Sequence, residues 1–186
     1  MTEHKVFERI DHTVNKLDAG EYEDCTFKNC IFYNVDLSGC IFRECKFDGC
    51  DLSLSKVKNS TFNDIQFVNC KLLGIQFNEC NNFLLSFRFE NCMLKLTAFY
   101  KLKLKKTKFI NCNLQEADFS DTDLQSSIFE NCDLHRAVFY NTNLEKADFR
   151  TAYNYSIDPD RNRVKKARFS RSGIAGLLDK YNIEIE

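Results

Sequence analysis

Large apolar residues recur at every fifth position over most of this chain. From Phe109 to Phe149 they stand at 109, 114, 119, 124, 129, 134, 139, 144 and 149, with Phe and Leu alternating. Two residues before each comes a small side chain: Thr107, Cys112, Ala117, Thr122, Ser127, Cys132, Ala137, Thr142 and Ala147. A helix returns to its buried face every 3.6 residues and a strand every 2, so neither explains a period of five. A strand rises about 3.3 Å per residue, and five residues make one short straight side and a bend. The pattern therefore predicts a polygonal coil with one buried apolar residue on each side.

A second, longer period gives the number of sides. The five-residue pattern opens at Cys25-Thr26-Phe27 and passes through Phe32, Leu37, Phe42, Phe47, Leu52, Val57, Phe62, Phe67, Leu72 and Phe77. It resumes at Phe89 and Leu94 after a gap of 12 rather than 10, so "NECNNFLLSFRF" carries two additional residues. Asn-Cys recurs at 29–30, 69–70, 91–92, 111–112 and 131–132, and Gly49-Cys50 fills the vacant place; the steps are 20, 20, 22, 20 and 20. Twenty residues at five per side make four sides. In the later turns each layer then holds two Phe and two Leu, with small residues at the corners and layers about 4.8 Å apart.

The units "CNLQE ADFSD TDLQS" and "TNLEK ADFRT" resemble the pentapeptide-repeat family, whose consensus is A(D/N)LxX. The resemblance spans roughly Cys25 to Thr151. It implies an all-β solenoid, a right-handed quadrilateral β-helix, here of about six coils. Residues 1–24 are expected as an N-terminal cap or first partial coil, 25–156 as the β-helix, and 157–186 as a C-terminal cap and dimerisation segment.

In that last segment Ser172 is placed to cap a short helix with Ile174, Leu177, Leu178 and Tyr181 at i, i+3, i+4 and i+7. Ile183 and Ile185 alternate as in a strand. The two apolar sets exceed what one coil end can bury, and an exposed strand edge invites a second copy. A homodimer through these six residues is expected, and the resemblance to Qnr-type members implies the same tail-to-tail pairing.

Composition excludes several classes of function. With 26 basic and 27 acidic residues the net charge is −1, which indicates neither direct nucleic-acid binding nor a membrane surface. The start, "MTEHKVFERI", lacks the apolar run of a secretion signal, so the cytoplasm is expected. Ten cysteines all occupy the small-residue position, as compact buried hydrophobes do. They show neither CxxC spacing nor a Cys/His cluster, so no metal, cofactor or disulfide is expected. The histidines are His4, His12 and His135, and no catalytic motif accompanies them. A binding protein, not an enzyme, is the expectation.

What would it bind? The resemblance implies interaction with DNA gyrase or topoisomerase IV by DNA mimicry, with quinolone resistance or immunity to gyrase poisons. The twenty-residue register stacks Asp36 on Lys56, Asp51 on Lys71, Lys101 on Asp121 and Lys103 on Asp123, while Lys95, Lys101, Lys103, Lys105, Lys106 and Lys108 form a basic belt. The alternative is a rigid protein-interaction scaffold. On the face centred on Phe32, Leu52, Leu72 and Leu94, the outward positions hold Ile31, Tyr33, Leu54, Leu73, Met93 and Leu96. A contiguous apolar patch of this kind suggests a protein partner.

Overall fold

Each five-residue unit bends at the residue two places after its buried centre, where the backbone is left-handed. Asparagine holds this position at 29, 34, 59, 69, 91, 111, 131 and 141, with φ between 51° and 58°. Its short polar side chain tolerates that conformation better than most. Repeating the bend gives a four-sided solenoid of parallel strands. The computed structural model describes residues 1–184.

The first strands are β1 (Thr2–Glu3), β2 (Val6–Glu8), β3 (Glu21–Glu23), β4 (Thr26–Lys28), β5 (Ile41–Arg43), β6 (Lys46–Asp48), β7 (Thr61–Asn63) and β8 (Ile65–Val68). They are followed by β9 (Phe87–Glu90), β10 (Lys108–Ile110), β11 (Ile128–Glu130), β12 (Asp148–Phe149) and β13 (Arg168–Phe169). One face carries nine of them in the order β2-β4-β6-β8-β9-β10-β11-β12-β13, and a neighbouring face carries β1-β3-β5-β7. Paired residues differ by 20, as in Phe27↔Phe47 and Phe109↔Phe129, and by 22 in Phe67↔Phe89. The solenoid has about eight turns, not six, because it extends beyond Cys25 and Thr151 at both ends.

The nine-stranded face presents a phenylalanine at every rung: Phe7, Phe27, Phe47, Phe67, Phe89, Phe109, Phe129, Phe149 and Phe169. Successive rings are stacked with centroids 4.6–5.4 Å apart. In the later turns a second stack, Phe77, Phe99, Phe119 and Phe139, stands opposite at spacings of 5.0–5.3 Å. The two stacks meet edge to face, as Phe109 and Phe119 do at 5.9 Å and 82°, the arrangement ring quadrupoles favour. The four-sided layer of two Phe and two Leu is thus realised.

Polar atoms at the small-residue position are satisfied across coils. Ser60 Oγ donates to the Leu37 carbonyl at 2.7 Å, Thr122 Oγ1 to Phe99 at 2.8 Å, and Cys70 Sγ to Phe47 at 3.3 Å. All ten cysteines are buried and unbridged. Burial pushes the Cys45 thiol up to about 11.

Residues 1–24 continue the same coil. Phe7 stacks on Phe27, and His12 occupies a buried centre, its ring 4.4 Å from that of Phe32. At the other end, Asn162 does the work of a small residue: it accepts from the Thr142 N–H at 2.9 Å and donates to the Phe139 carbonyl at 3.0 Å.

The expected α-helix is instead two short 3-10 turns, Ile174–Leu177 and Asp179–Tyr181. Gly173 and Gly176 weaken so short a helix, and the Gly176 carbonyl is drawn to the coil, where it accepts from Ile157 N–H at 2.9 Å. Ser172 does not cap it: Gly173 stands at the N-cap with no side-chain capping bond, and Ser170 Oγ accepts from the Gly173 N–H at 3.0 Å. Ile183 lies in no strand; Ile185 falls outside the described residues.

The two additional residues leave the coil at 81–86. Phe83 and Leu84 form an exposed turn, and Phe87 enters the core, 4.9 Å from Phe77 and 5.3 Å from Phe89. The sheet β1-β3-β5-β7 ends there, while the nine-stranded face runs past without a break.

Candidate interaction surfaces

Leu54, Leu73, Met93 and Leu96 come together over three successive coils. Leu54 N–H donates to the Leu73 carbonyl, Leu72 to Met93, and Gly74 to Lys95, each at 2.8–3.0 Å. Leu54, Met93 and Leu96 are 44–47% exposed and Leu73 is half-buried. Ile31 and Tyr33 lie one coil before Leu54, with Asp51 separating Ile31 from the rest of the patch. Leu54 and Leu96 also occupy corner positions with φ of 60°, a conformation that is uncommon for a bulky apolar residue and adds strain. Neither burial nor backbone preference accounts for leucine at these two places.

At the C-terminal end Ile174, Tyr181 and Ile183 are 53–58% exposed. Leu177 and Leu178 are half-buried, and Leu177 packs against the core. The structure therefore divides the expected stripe: part of it closes the coil and part faces outward.

Asp36 and Lys56, Asp51 and Lys71, and Lys103 and Asp123 are bridge partners, as the register requires. Their side chains make other ion pairs or none. Lys105 reaches Asp123 at 3.3 Å, Lys95 reaches Glu116 at 3.1 Å, and Arg43 reaches Glu21 at 3.1 Å. Exposed pairs like these contribute about 0.2–1 kcal/mol each. One corner bears an amide ladder in which Asn131, Asn111 and Asn91 each donate to the Asn one coil before, at 3.0–3.2 Å.

The three histidines stand apart. His4 bonds the exposed Asp24 at 2.7 Å, which raises its pKa. His135 is exposed. His12 is buried, its Nδ1 bonds the Asn15 carbonyl at 2.9 Å, its Nε2 has no partner, and burial lowers its pKa. It borders an open groove of about 730 Å³ with Lys16, Leu17, Tyr33 and Asp36. Among the described residues no group of three or more His, Cys, Asp or Glu could hold a metal ion, and no helix is long and apolar enough to cross a membrane.

A filled, four-sided repeat solenoid with its distinctive chemistry on its faces and ends is the class these features define. The pentapeptide repeat region model matches residues 21–88 and 83–153, and the chain belongs to that family; the coil has the family's right hand. The fold is similar to that of full-length QnrB1, a plasmid-mediated fluoroquinolone resistance protein, at 18% identity, over 97% of this chain and 99% of that one, with a TM-score of 0.65. A trypsin-treated form of QnrB1 aligns at 20% identity over 100% and 91% of the two chains, with a TM-score of 0.60. HetL, a pentapeptide repeat protein involved in heterocyst differentiation regulation in the cyanobacterium Nostoc, aligns at 13% identity over 90% and 87%, with a TM-score of 0.27. No curated protein matches the sequence.

Proposed function

We propose that this chain is a non-enzymatic binding protein that acts on a type II topoisomerase, DNA gyrase or topoisomerase IV, and relieves its poisoning by quinolones or gyrase-directed toxins. The observation that supports this reading is the end-to-end likeness to QnrB1, over 97% of this chain and 99% of that one. The filled core favours binding over catalysis: its central side chains, from Phe27 to Phe129, are almost wholly inaccessible, and catalysis generally needs a pocket. The test is gyrase supercoiling with and without ciprofloxacin. Restored supercoiling in the presence of drug is expected; identical activity with and without the protein, in both conditions, overturns the reading.

Leu54 and Leu96 favour a second reading, a rigid scaffold whose partner meets the apolar face. Capture of one defined partner that Leu54→Asp and Leu96→Asp both abolish, in a protein with no effect on gyrase, would select it. In either reading the chain pairs as a homodimer through Ile174, Leu177, Leu178, Tyr181, Ile183 and Ile185.

A further inference from the structure

The two-residue insertion leaves a sheet edge open in the middle of the solenoid. On this face, the residue before each later centre donates its N–H to the preceding coil: Asp123 to Leu102, Asn143 to Thr122 and Arg163 to Thr142, at 2.9–3.0 Å. Lys103 is the equivalent residue one coil earlier. Among the described residues its N–H has no such bond, and it bridges only to Asp123. The missing rung would be residues 81–86, but these hang from the opposite side of the gap. Asn81 N–H donates to Ser60 at 2.8 Å and Ser86 N–H to Phe62 at 3.1 Å. A concavity of about 490 Å³ remains between Leu85, Ser86 and Phe87 on one side and Lys103, Lys105, Lys106 and Thr107 on the other.

Unpaired strand edges bind extended chains, and the residues here state what kind. Lys103, Lys105 and Lys106 are exposed. Lys105 pairs with Asp123, whereas Lys103 and Lys106 make no ion pair among the described residues. Outward side chains of adjacent rungs stack in columns, and the rung on the closed side of Lys103 supplies Asp123. Beside the lysines, Phe83 and Leu84 are 71% and 60% exposed, and Leu84 has φ of 56°. This strained, uncovered apolar turn directly precedes Leu85, the first residue that lines the gap.

We propose that this gap receives an extended acidic segment of a partner protein as an added strand. Its backbone pairs with the Lys103–Lys105 edge. Two carboxylate side chains, separated by one apolar residue, stack over Lys103 and Lys105. The apolar residue turns inward towards Leu85 and Phe87. Glu21-Tyr22-Glu23 (β3), on the same face of this chain, already has that pattern. This surface is separate from the apolar face and from the C-terminal end, so it stands or falls independently of the supercoiling result.

The experiment is fluorescence anisotropy of a labelled peptide, Ser-Glu-Ile-Glu-Val-Glu, with the intact protein at low salt. Saturable binding is expected, weakened at least tenfold by Lys103→Glu with Lys105→Glu and unchanged by Lys165→Glu with Lys166→Glu. A peptide N-methylated at alternate amides and one with Lys for Glu should both bind at least tenfold more weakly. Absence of binding, equal binding of the N-methylated peptide, or equal loss in the control pair would overturn the proposal. So would displacement of the peptide by duplex DNA or phosphatidylserine vesicles at lower concentration than by unlabelled peptide. Circular dichroism of the variants, matched to the parent, excludes misfolding as the cause of any loss.

Discussion

The side chain of Leu54 lies across Gly74, one coil away, so closely that a β-carbon on Gly74 would sit 2.9 Å from Leu54 Cδ2. Gly74 also has φ of 69°, where alanine, unlike glycine or asparagine, is disfavoured by about 1–2 kcal/mol. Leu54, Gly74 and Leu96 form one column of corners, and the glycine leaves a notch between two exposed leucines. Gly74→Ala is expected to lower stability by about 1–2 kcal/mol and to push Leu54 outward. Urea denaturation measures the first effect; loss of any partner held on the apolar face would accompany it.

The stacked rings predict a gradient of sensitivity along the chain. Phe109 is fully buried between Phe89 and Phe129, and Phe109→Ala should cost about 3–5 kcal/mol. Phe7 is half-buried with one stacked neighbour, Phe27, so Phe7→Ala should cost less than half as much. Equal losses in urea midpoints would contradict a core built by nearest-neighbour stacking.

His12 predicts a pH dependence at the N-terminal coil. Burial lowers its pKa below the ordinary 6.5; the unfolded chain therefore binds the proton more readily. The stability from neutral His12 is fully present above about pH 6.5 and is lost as pH falls through its folded value. His4, raised by Asp24, acts in the opposite sense: its contribution is present at low pH and lost as pH rises. Urea midpoints between pH 8 and 5 should fall more steeply for the parent than for His12→Phe. Parallel curves would rule out His12 as the source.

Thiol chemistry tests the inward register of the cysteines. All ten are buried, and desolvation disfavours the reactive thiolate at Cys30, Cys40 and Cys45. Ellman's reagent should label none in the native protein and ten after denaturation. Rapid labelling under native conditions would place some of them outside the coil.

Homodimerisation makes a separate prediction. Ile174 and Tyr181 are exposed at the C-terminal end, and Ile174→Glu with Tyr181→Glu should give a folded monomer. Light scattering at micromolar concentration decides the matter. A parent already monomeric at that concentration would end the dimer proposal.

The buried columns were legible because they depend on spacing alone: Phe27, Phe47 and Phe67 differ by 20, and the packing of a coil enforces that number. The first coil was harder to read. Its centres Phe7, His12, Leu17 and Tyr22 keep the period, but two are not Phe or Leu, and Lys5, Ile10 and Asn15 stand where small residues were expected. At the other end the i, i+3, i+4, i+7 spacing from Ile174 to Tyr181 suits a helix, yet the glycines and the bond from Ile157 to Gly176 override it. The apolar face followed from periodicity, whereas the opening at Lys103 did not. Counting reveals that two residues are inserted; only three-dimensional structure reveals which hydrogen bonds the insertion removes.

The unbroken nine-ring stack makes the distance between the ends of this protein a quantised variable. Every twenty residues excised or duplicated in register should shorten or lengthen the rod by one ring spacing, 4.6–5.4 Å, without altering its width. The face interrupted at residues 81–86 shows that a loop can be spliced into one side while the graduations on the neighbouring side stay in step. Such a molecule can serve as a ruler: its length can be changed by whole coils and its attachments by single faces, each independently of the other.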